Sequence, residues 1–447
     1  MKKSEIDEFY FFILLKTKME NKINLKNIWE FIQKRINEKP RVANFLASTV
    51  KNARLSKHLT LAQTVKDICS QSSWSKFENN YLSLPEDIVS AVCDGIGLNY
   101  GQLLEIDQTN NLPALAKHYL YNRYDEIAKM FDNIDNELFL SRDALIKCCY
   151  YLTIDDFQNF VVEVQNLDSV KNTLSDYELF MFLLFTIEYY IKTHSYLEAD
   201  RYLKIIDVLD NDDQVLRSLY LQQKFIVACN LRNYKRIHLD FINLENATSN
   251  SYPIRNRVYM KLLFLEAYPT EENLLEIENM EYDLPDYIFN DCYWYTRLLV
   301  LIKLGRLYEV IKIILKLEFK HASFIGLLGY VINAILESDR HVDGLKEFIK
   351  HFNDLSKNME YSEQDTVHLE FIKYIKIKMN SKTTDEEFLC LRNTLIPKLK
   401  SCQHRFYTQI YASRYALLLG ERSKYKEAYL FSINNFELLN DLHLHDL

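Results

Sequence analysis

From about residue 111 onward one short phrase recurs along the chain: a helical stretch ends in a polar tight turn, an aromatic or aliphatic residue follows, and a second helix begins. The clearest copies are Asn122-Arg123-Tyr124-Asp125-Glu126-Ile127, His194-Ser195-Tyr196-Leu197-Glu198-Ala199, Arg232-Asn233-Tyr234-Lys235, Gly305-Arg306-Leu307-Tyr308-Glu309 and Ser423-Lys424-Tyr425-Lys426-Glu427-Ala428. Weaker copies lie near Phe157, Asn273, Val342 and Glu386. Anchored on Tyr124, Phe157, Tyr196, Tyr234, Asn273, Leu307, Val342, Glu386 and Tyr425, the phrase steps by 33, 39, 38, 39, 34, 35, 44 and 39 residues. So regular an interval predicts about nine stacked helical hairpins over residues 106–447, each burying against its neighbours the apolar face it cannot cover alone.

Residues 42–105 follow another pattern. Five short helices fit, over about 42–57, 61–68, 72–80, 85–96 and 99–105, with the second and third joined by a turn of three or four residues. Thr60 suits the N-cap of the second, Ser70 or Gln71 opens the third, Pro85 fits the first turn of the fourth, and Gly97 follows its end as a C-cap. Residues 1–41 form a separate helical extension, in which Phe9 to Leu15 and Ile28, Trp29, Phe31 and Ile32 fall at helical spacing; it serves either as a dimerisation arm or as an added packing layer.

Composition agrees with an all-α chain. At 447 residues the protein exceeds one compact core, and with 8 Gly and 7 Pro it lacks the turn formers of a multi-stranded β protein. The eight cysteines show no CxxC pair and no metal-ligand spacing, which predicts a reducing, cytoplasmic setting and no metal. The apolar runs Phe9 to Leu15 and Leu179 to Ile187 are too short for a bilayer span. Residues 1–105 carry 15 Lys and Arg against 12 Asp and Glu, and residues 106–447 carry 39 against 50, so only the first part suits a polyanion. No Gly-rich phosphate loop, HExxH or GxSxG occurs, and the acidic pairs Asp155-Asp156, Asp212-Asp213 and Glu386-Glu387 read as helix caps; neither an enzyme nor a cofactor is expected.

Val50-Lys51-Asn52-Ala53-Arg54, Leu59-Thr60-Leu61 and Ser70-Gln71-Ser72-Ser73-Trp74-Ser75-Lys76-Phe77-Glu78-Asn79 resemble the Cro/repressor-type (XRE) helix-turn-helix family. Ile88, Val89, Val92, Cys93, Ile96, Leu98, Leu103 and Leu104 match the apolar positions of its closing helices, and Arg54 and Glu78 fall where that family keeps a paired Arg and Glu. Leu61 stands where the family usually has Gln, and Val65 replaces its small residue. The resemblance implies a third helix in the major groove, with Gln71, Ser72, Ser75 and Lys76 facing base edges and Asn79, helped by Lys51, Lys57 or Lys66, facing phosphates, while Trp74 and Phe77 enter the core.

The repeated phrase, Ser423 to Ala428 best of all, resembles the turn of the tetratricopeptide repeat, which implies a right-handed α-solenoid with a concave inner face. A helix-turn-helix followed by such repeats resembles the peptide-sensing regulators of the RRNPP group (Rgg/PlcR-like), implying a homodimer that binds double-stranded DNA under control of a short signalling peptide, as in quorum sensing. If each anchor marks a hairpin turn, the first helix of each pair lines the concave side, which nominates Glu188, Lys192, Gln222, Asn230, Lys261, Tyr295 and Lys303 as peptide contacts. The same features also fit a helical-repeat interaction scaffold whose helix-turn-helix no longer reads DNA.

Overall fold

The computed structural model describes residues 23, 25, 28–37, 45–79, 81–101, 103, 111–134, 140–193, 195–209, 211–248, 252–280, 288–316, 328–329, 331–332, 345–358, 366–380, 384–401 and 405–434. Among these residues the chain is all-helical, without a strand. Helix α1 is Ile28–Ile36. Four short helices follow: α2 Phe45–Ser56, α3 Leu61–Val65, α4 Gln71–Glu78 and α5 Glu86–Gly95. Then come α6 Leu112–Leu120, α7 Tyr124–Asp132, α8 Ser141–Thr153, α9 Phe157–Val170, α10 Asp176–Lys192, α11 Tyr196–Ile206, α12 Gln214–Asn230, α13 Tyr234–Thr248, α14 Ile254–Ala267, α15 Glu271–Met280, α16 Ile288–Lys303 and α17 Leu307–Ile314. The last elements are α18 Leu345–Asn358, α19 Thr366–Asn380, α20 Thr384–Cys390, α21 Ile396–Ser401, α22 Arg405–Glu421 and α23 Tyr425–Asn434.

Consecutive helices pack as pairs, α8 with α9, α10 with α11 and α12 with α13, and the first helices of successive pairs form a row from α8 through α10, α12 and α14 to α16. The recurring phrase has a backbone cause. Asn122, Asp155, Arg232, Gly305 and Ser423, each two residues before an anchor, adopt left-handed φ values of 51° to 72°. At each of these turns the next amide donates back to the helix just ended, as in Arg123 N to His118 O (2.8 Å), Asp156 N to Tyr151 O (2.9 Å), Asn233 N to Ala228 O (3.0 Å), Arg306 N to Leu301 O (2.9 Å) and Lys424 N to Leu419 O (2.9 Å). This bond caps the orphan carbonyls of the first helix and turns the chain back for the second. The anchors Tyr124, Phe157, Tyr196, Tyr234, Leu307 and Tyr425 are each the first residue of the following helix. Asn273 and Glu386 are each the third residue of theirs, and Val342 lies outside the described residues.

Helix α10 is the centre of the first core. Ser175 and Glu178 form its capping box, and every residue from Leu179 to Ile187 is buried, so the apolar run is a core helix covered on all sides. Part of that cover comes from far away in the chain: Ile23, Leu25, Ile28 and Ile32 join the same core, and Tyr190 Oη donates to Ile23 O (2.7 Å). Arg35, itself buried, donates through Nε and Nη2 to Asp176 Oδ1 (2.9 and 2.7 Å) and through Nη2 to Leu174 O (2.5 Å). The described part of the N-terminal extension is therefore a packing layer on the hairpins; Phe9 to Leu15 lie outside the described residues. A second core runs from Leu265 to Leu419, and a third, separate from both, is built from Leu46 to Leu103.

One expectation changes. The third acidic pair does not cap a helix: Glu387 is buried, bound by Arg414 (Nε to Oε1 2.9 Å, Nη2 to Oε2 3.1 Å), Lys378 (3.2 Å) and Tyr374 Oη (3.0 Å). Burial alone would raise its carboxyl, but the two cations hold it below the ordinary glutamate value. Asp156 and Asp213 do cap α9 and α12. Between α20 and α21 the chain widens into a π-turn at Leu391–Leu395, two residues before Pro397, where the wider turn relieves the clash of the proline ring with the preceding helical carbonyl.

The turn geometry predicts a backbone effect free of side-chain contacts. At Gly305 (φ +72°) an added Cβ would meet nothing within 4 Å, so Gly305→Ala costs only the left-handed strain, about 1 kcal/mol. Ser423→Gly, at φ 58°, removes the same strain and stabilises by several tenths of a kcal/mol or more. Urea unfolding followed by circular dichroism checks both; an unchanged midpoint for both would contradict this account.

Candidate functional site

Two places bring polar side chains together in a way that packing alone does not require. The first is α4. Ser70 caps it, accepting from Ser73 N (3.0 Å), and Thr60 caps α3 with Gln63 completing the capping box. Between these helices lie residues 66–70, a longer turn than the sequence suggests, because α3 closes at Val65 with Lys66 in a positive-φ conformation. Trp74 and Phe77 are fully buried, with ring centroids 4.9 Å apart.

Helix α4 is fixed to α2 by one buried ion pair. Arg54 Nε and Nη2 donate to Glu78 Oε1 (2.7 Å) and Oε2 (2.8 Å), Trp74 Nε1 donates to Glu78 Oε1 (2.9 Å), and Arg54 Nη1 donates to Leu59 O (3.0 Å). The hydrogen bond to Glu78 raises Arg54 further above its ordinary value, so the guanidinium stays charged. With the inner face so held, Gln71, Ser72 and Lys76 stand exposed and Ser75 half-exposed on the outer face.

Asn79 is placed otherwise than expected. Its Nδ2 donates to Ser75 O (2.7 Å) and its Oδ1 accepts from Lys51 Nζ (2.9 Å), so it closes the helix end. Lys57 donates to Ile96 O, at the end of α5. Residues 42–105 contain five Lys and Arg against six Asp and Glu, so the positive balance of the first 105 residues belongs to the extension.

The second place is a cleft between α6, α10, α12 and α14, open to solvent at its mouth, with a cavity volume of about 100 Å³. It gathers Glu188, Lys192 and Gln222, three of the nominated residues, with Tyr119, Asn122, Tyr124, Arg255, Asn256 and Tyr259. Glu188 accepts from Gln223 Nε2 (2.8 Å), and Lys192 donates to Asp155 (3.2 Å). Desolvation is the largest influence on Glu188 and raises its carboxyl, against the lowering effect of Lys192, Gln223 and Tyr119. Gln222 Oε1 accepts from Tyr252 Oη (2.5 Å) and Asn256 Nδ2 (3.2 Å). Such side-chain amides can exchange internal partners for those of a ligand.

The other nominated residues are elsewhere. Asn230 and Lys303 line a smaller hollow with Arg232, Tyr234 and Glu266, and their donors are used internally, Asn230 on Ile226 O (2.8 Å) and Lys303 on Glu266 O (3.0 Å). Lys261 pairs with Glu276 (3.0 Å) and lies over the rings of Phe241 and Phe264, facing the second helices of its hairpins. Tyr295 packs against the second core. None of these four residues lines the cleft. Asn122 and Asn256, which do, are not among the nominated residues; the legible signal was a polar residue, Asn256, on the buried face of α14 beside Tyr259 and Met260.

Among the described residues no cluster of His, Cys, Asp and Glu could hold a metal, and no helix is long and apolar enough to cross a membrane. No protein-family description, no curated protein and no solved structure matches the chain.

Two measurements follow. Removing one partner of the buried pair, as in Glu78→Leu, costs about 3–5 kcal/mol, and the double variant Arg54→Met/Glu78→Leu recovers a substantial part; additive losses in a double-mutant denaturation cycle would show that no coupling exists. Because the Glu188 pKa is raised on folding, the folded state holds its proton more tightly than the unfolded one, and stability falls as pH rises from the unfolded value through the folded one. Glu188→Gln therefore flattens that fall above about pH 4.3 in a pH series of urea midpoints, and an identical slope in both proteins would refute it.

Proposed function

We propose that this protein is a DNA-binding transcriptional regulator controlled by a ligand, most plainly a short peptide, held in the cleft between α6, α10, α12 and α14. Residues 45–103 form a helix-turn-helix domain, with α4 the recognition helix. The remaining hairpins form a right-handed, tetratricopeptide-like solenoid that carries the ligand and brings two copies together as a homodimer. The observation that carries this reading is the buried Arg54–Glu78–Trp74 contact, which fixes α4 on α2 and leaves Gln71, Ser72 and Lys76 exposed along one side. A scaffold with no need to present α4 would gain nothing from an ion pair whose desolvation is costly, since apolar residues would pack there equally well.

Gln71 and Lys76 have the reach for base edges, and Ser72 and Ser75 supply shorter contacts. Asn79 is withdrawn from phosphate contact by its bonds to Ser75 O and Lys51. A nearly neutral DNA-reading segment gives little non-specific attraction, so useful affinity requires two copies on a two-fold site and direct base contacts. The cleft suits an extended peptide through Gln222, Lys192 and Glu188, which offer amide, cation and carboxyl within one space. Catalysis and cofactors have no place in the proposal, and its setting is the cytoplasm, where DNA is met.

The charge balance favours one second reading, a helical-repeat scaffold whose helix-turn-helix has lost DNA binding. Recovery and sequencing of fragments bound from source DNA at fixed, near-physiological salt separates the two. Enrichment of a two-fold-symmetric site, lost in Gln71→Ala/Lys76→Ala with helicity retained, is the expected result; no enrichment, with and without a library of short synthetic peptides, leaves the scaffold. For the enriched site, log affinity should fall with log salt no more steeply than a slope of about −4, reflecting few phosphate contacts.

A further inference from the structure

The first and the last wall of the cleft lie far apart in the chain and are tied directly to each other. Asn256 Nδ2, on α14, donates to Leu120 O at the end of α6 (3.2 Å), and Asn122 Nδ2, in the left-handed turn after α6, donates to Asn256 Oδ1 (3.3 Å). Tyr124 Oη donates to Asn122 Oδ1 (2.8 Å), and Asn256 Nδ2 also donates to Gln222 Oε1 (3.2 Å), so one relay crosses the cleft from α7 to α12. In an array whose units touch only their neighbours, α6 would not meet α14, four pairs later.

The position of α6 gives this relay a consequence. Residues 45–103 stand in the chain between two helices that both rest on the first core, α1 before them and α6 after them. The α1 attachment, Ile28, Ile32 and Arg35 on Leu174 and Asp176, uses none of the residues that line the cleft. Helix α6 is seated on that core by Leu112, Leu115, Ala116, Tyr119 and Leu120, and the relay ties only its C-terminal end to α14; Gln222, Asn122 and Asn256 are themselves cleft walls.

We propose that the Asn122–Asn256–Gln222 relay is a ligand-released latch: a ligand in the cleft takes the amides of Gln222 and Asn256, frees Leu120 O and Asn122, and uncouples α6 from α14. This rests on the regulator reading of the cleft and of residues 45–103. Exchange of one set of amide hydrogen bonds for another is close to neutral for the amides, so the ligand's differential contacts decide which arrangement prevails. The ligand thus acts on the tether that follows the DNA-reading segment and leaves the tether that precedes it in place.

The test is amide hydrogen exchange of the full chain, wild type against Asn256→Ala, without ligand. Loss of the latch is expected to speed exchange over residues 112–124 roughly tenfold while residues 179–191 keep their wild-type rates. Unchanged exchange over residues 112–124 overturns the latch. If Asn256→Ala loosens both segments alike, Asn122→Gly, which removes the turn-side amide and keeps the left-handed φ without strain, decides: selective loosening supports the latch and none overturns it. The same variants are then applied to the DNA fragments enriched above, where affinity is expected to change at least fivefold without ligand. Selective exchange with unaltered DNA affinity overturns the coupling. Selective exchange in a protein that binds no DNA leaves the latch as a property of the array and removes the regulator reading alone.

Discussion

Helix α10 presents apolar side chains on every side, and a helix of that kind is stable only when neighbours close over its whole circumference. Its own hairpin partner α11 covers one side, and α8 and α12, the first helices of the adjoining pairs, cover two more. The remainder is covered by Ile23, Leu25, Ile28 and Ile32, carried back from the far side of residues 45–103 and clamped by Arg35. At about 1.5–3 kcal/mol for each fully buried aliphatic or aromatic side chain, this closure outweighs any single hydrogen bond near it. Residues 45–103 are consequently an insertion between two pieces of one core, and the orientation of their flanking helices is set by the packing needs of α10.

The local grammar of these hairpins was legible because it is local chemistry. A left-handed residue ends each first helix, and Asn122, Asp155 and Gly305 are types that tolerate that conformation, so the phrase marks the right places. The anchors coincide with helix starts for the same reason. Arg232 and Ser423 take the same φ with less suitable side chains, which shows that the turn is imposed by the pairs it joins. The pairing of Arg54 with Glu78 was legible through resemblance, since a buried charge needs its counterpart. Curvature was not legible. Whether α6 meets α14 depends on small rotations summed over four pairs, and no residue spacing encodes that sum, so Asn122 and Asn256 went unmarked.

Electrostatics constrains the DNA reading more than geometry does. Of the five cations in residues 42–105, Arg54 is neutralised within the core, Lys57 caps α5, and Lys51 holds Asn79. Lys66 and Lys76 are exposed, and the six acidic residues of the segment offset the general attraction for phosphate. A domain of this kind cannot search DNA by charge alone. Its specificity would have to come from a few base contacts, doubled by symmetry, which makes the relative placement of two copies decisive for affinity.

That requirement links the two sites. Where each half-site contributes little, the second contact is gained only when the spacing of the two recognition helices matches the half-site separation, and affinity then changes steeply with the attitude of each domain. A regulator with strong phosphate attraction would tolerate a misplaced domain, since non-specific binding would persist. With residues 45–103 nearly neutral, the proposed regulator would need only a modest displacement of α6 to gain or lose the second half-site. In the proposed regulator, weak charge in residues 45–103 and an amide relay at their tether would thus be complementary: the first would make binding sensitive to geometry, and the second would give a ligand in the cleft a small, reversible means of changing that geometry.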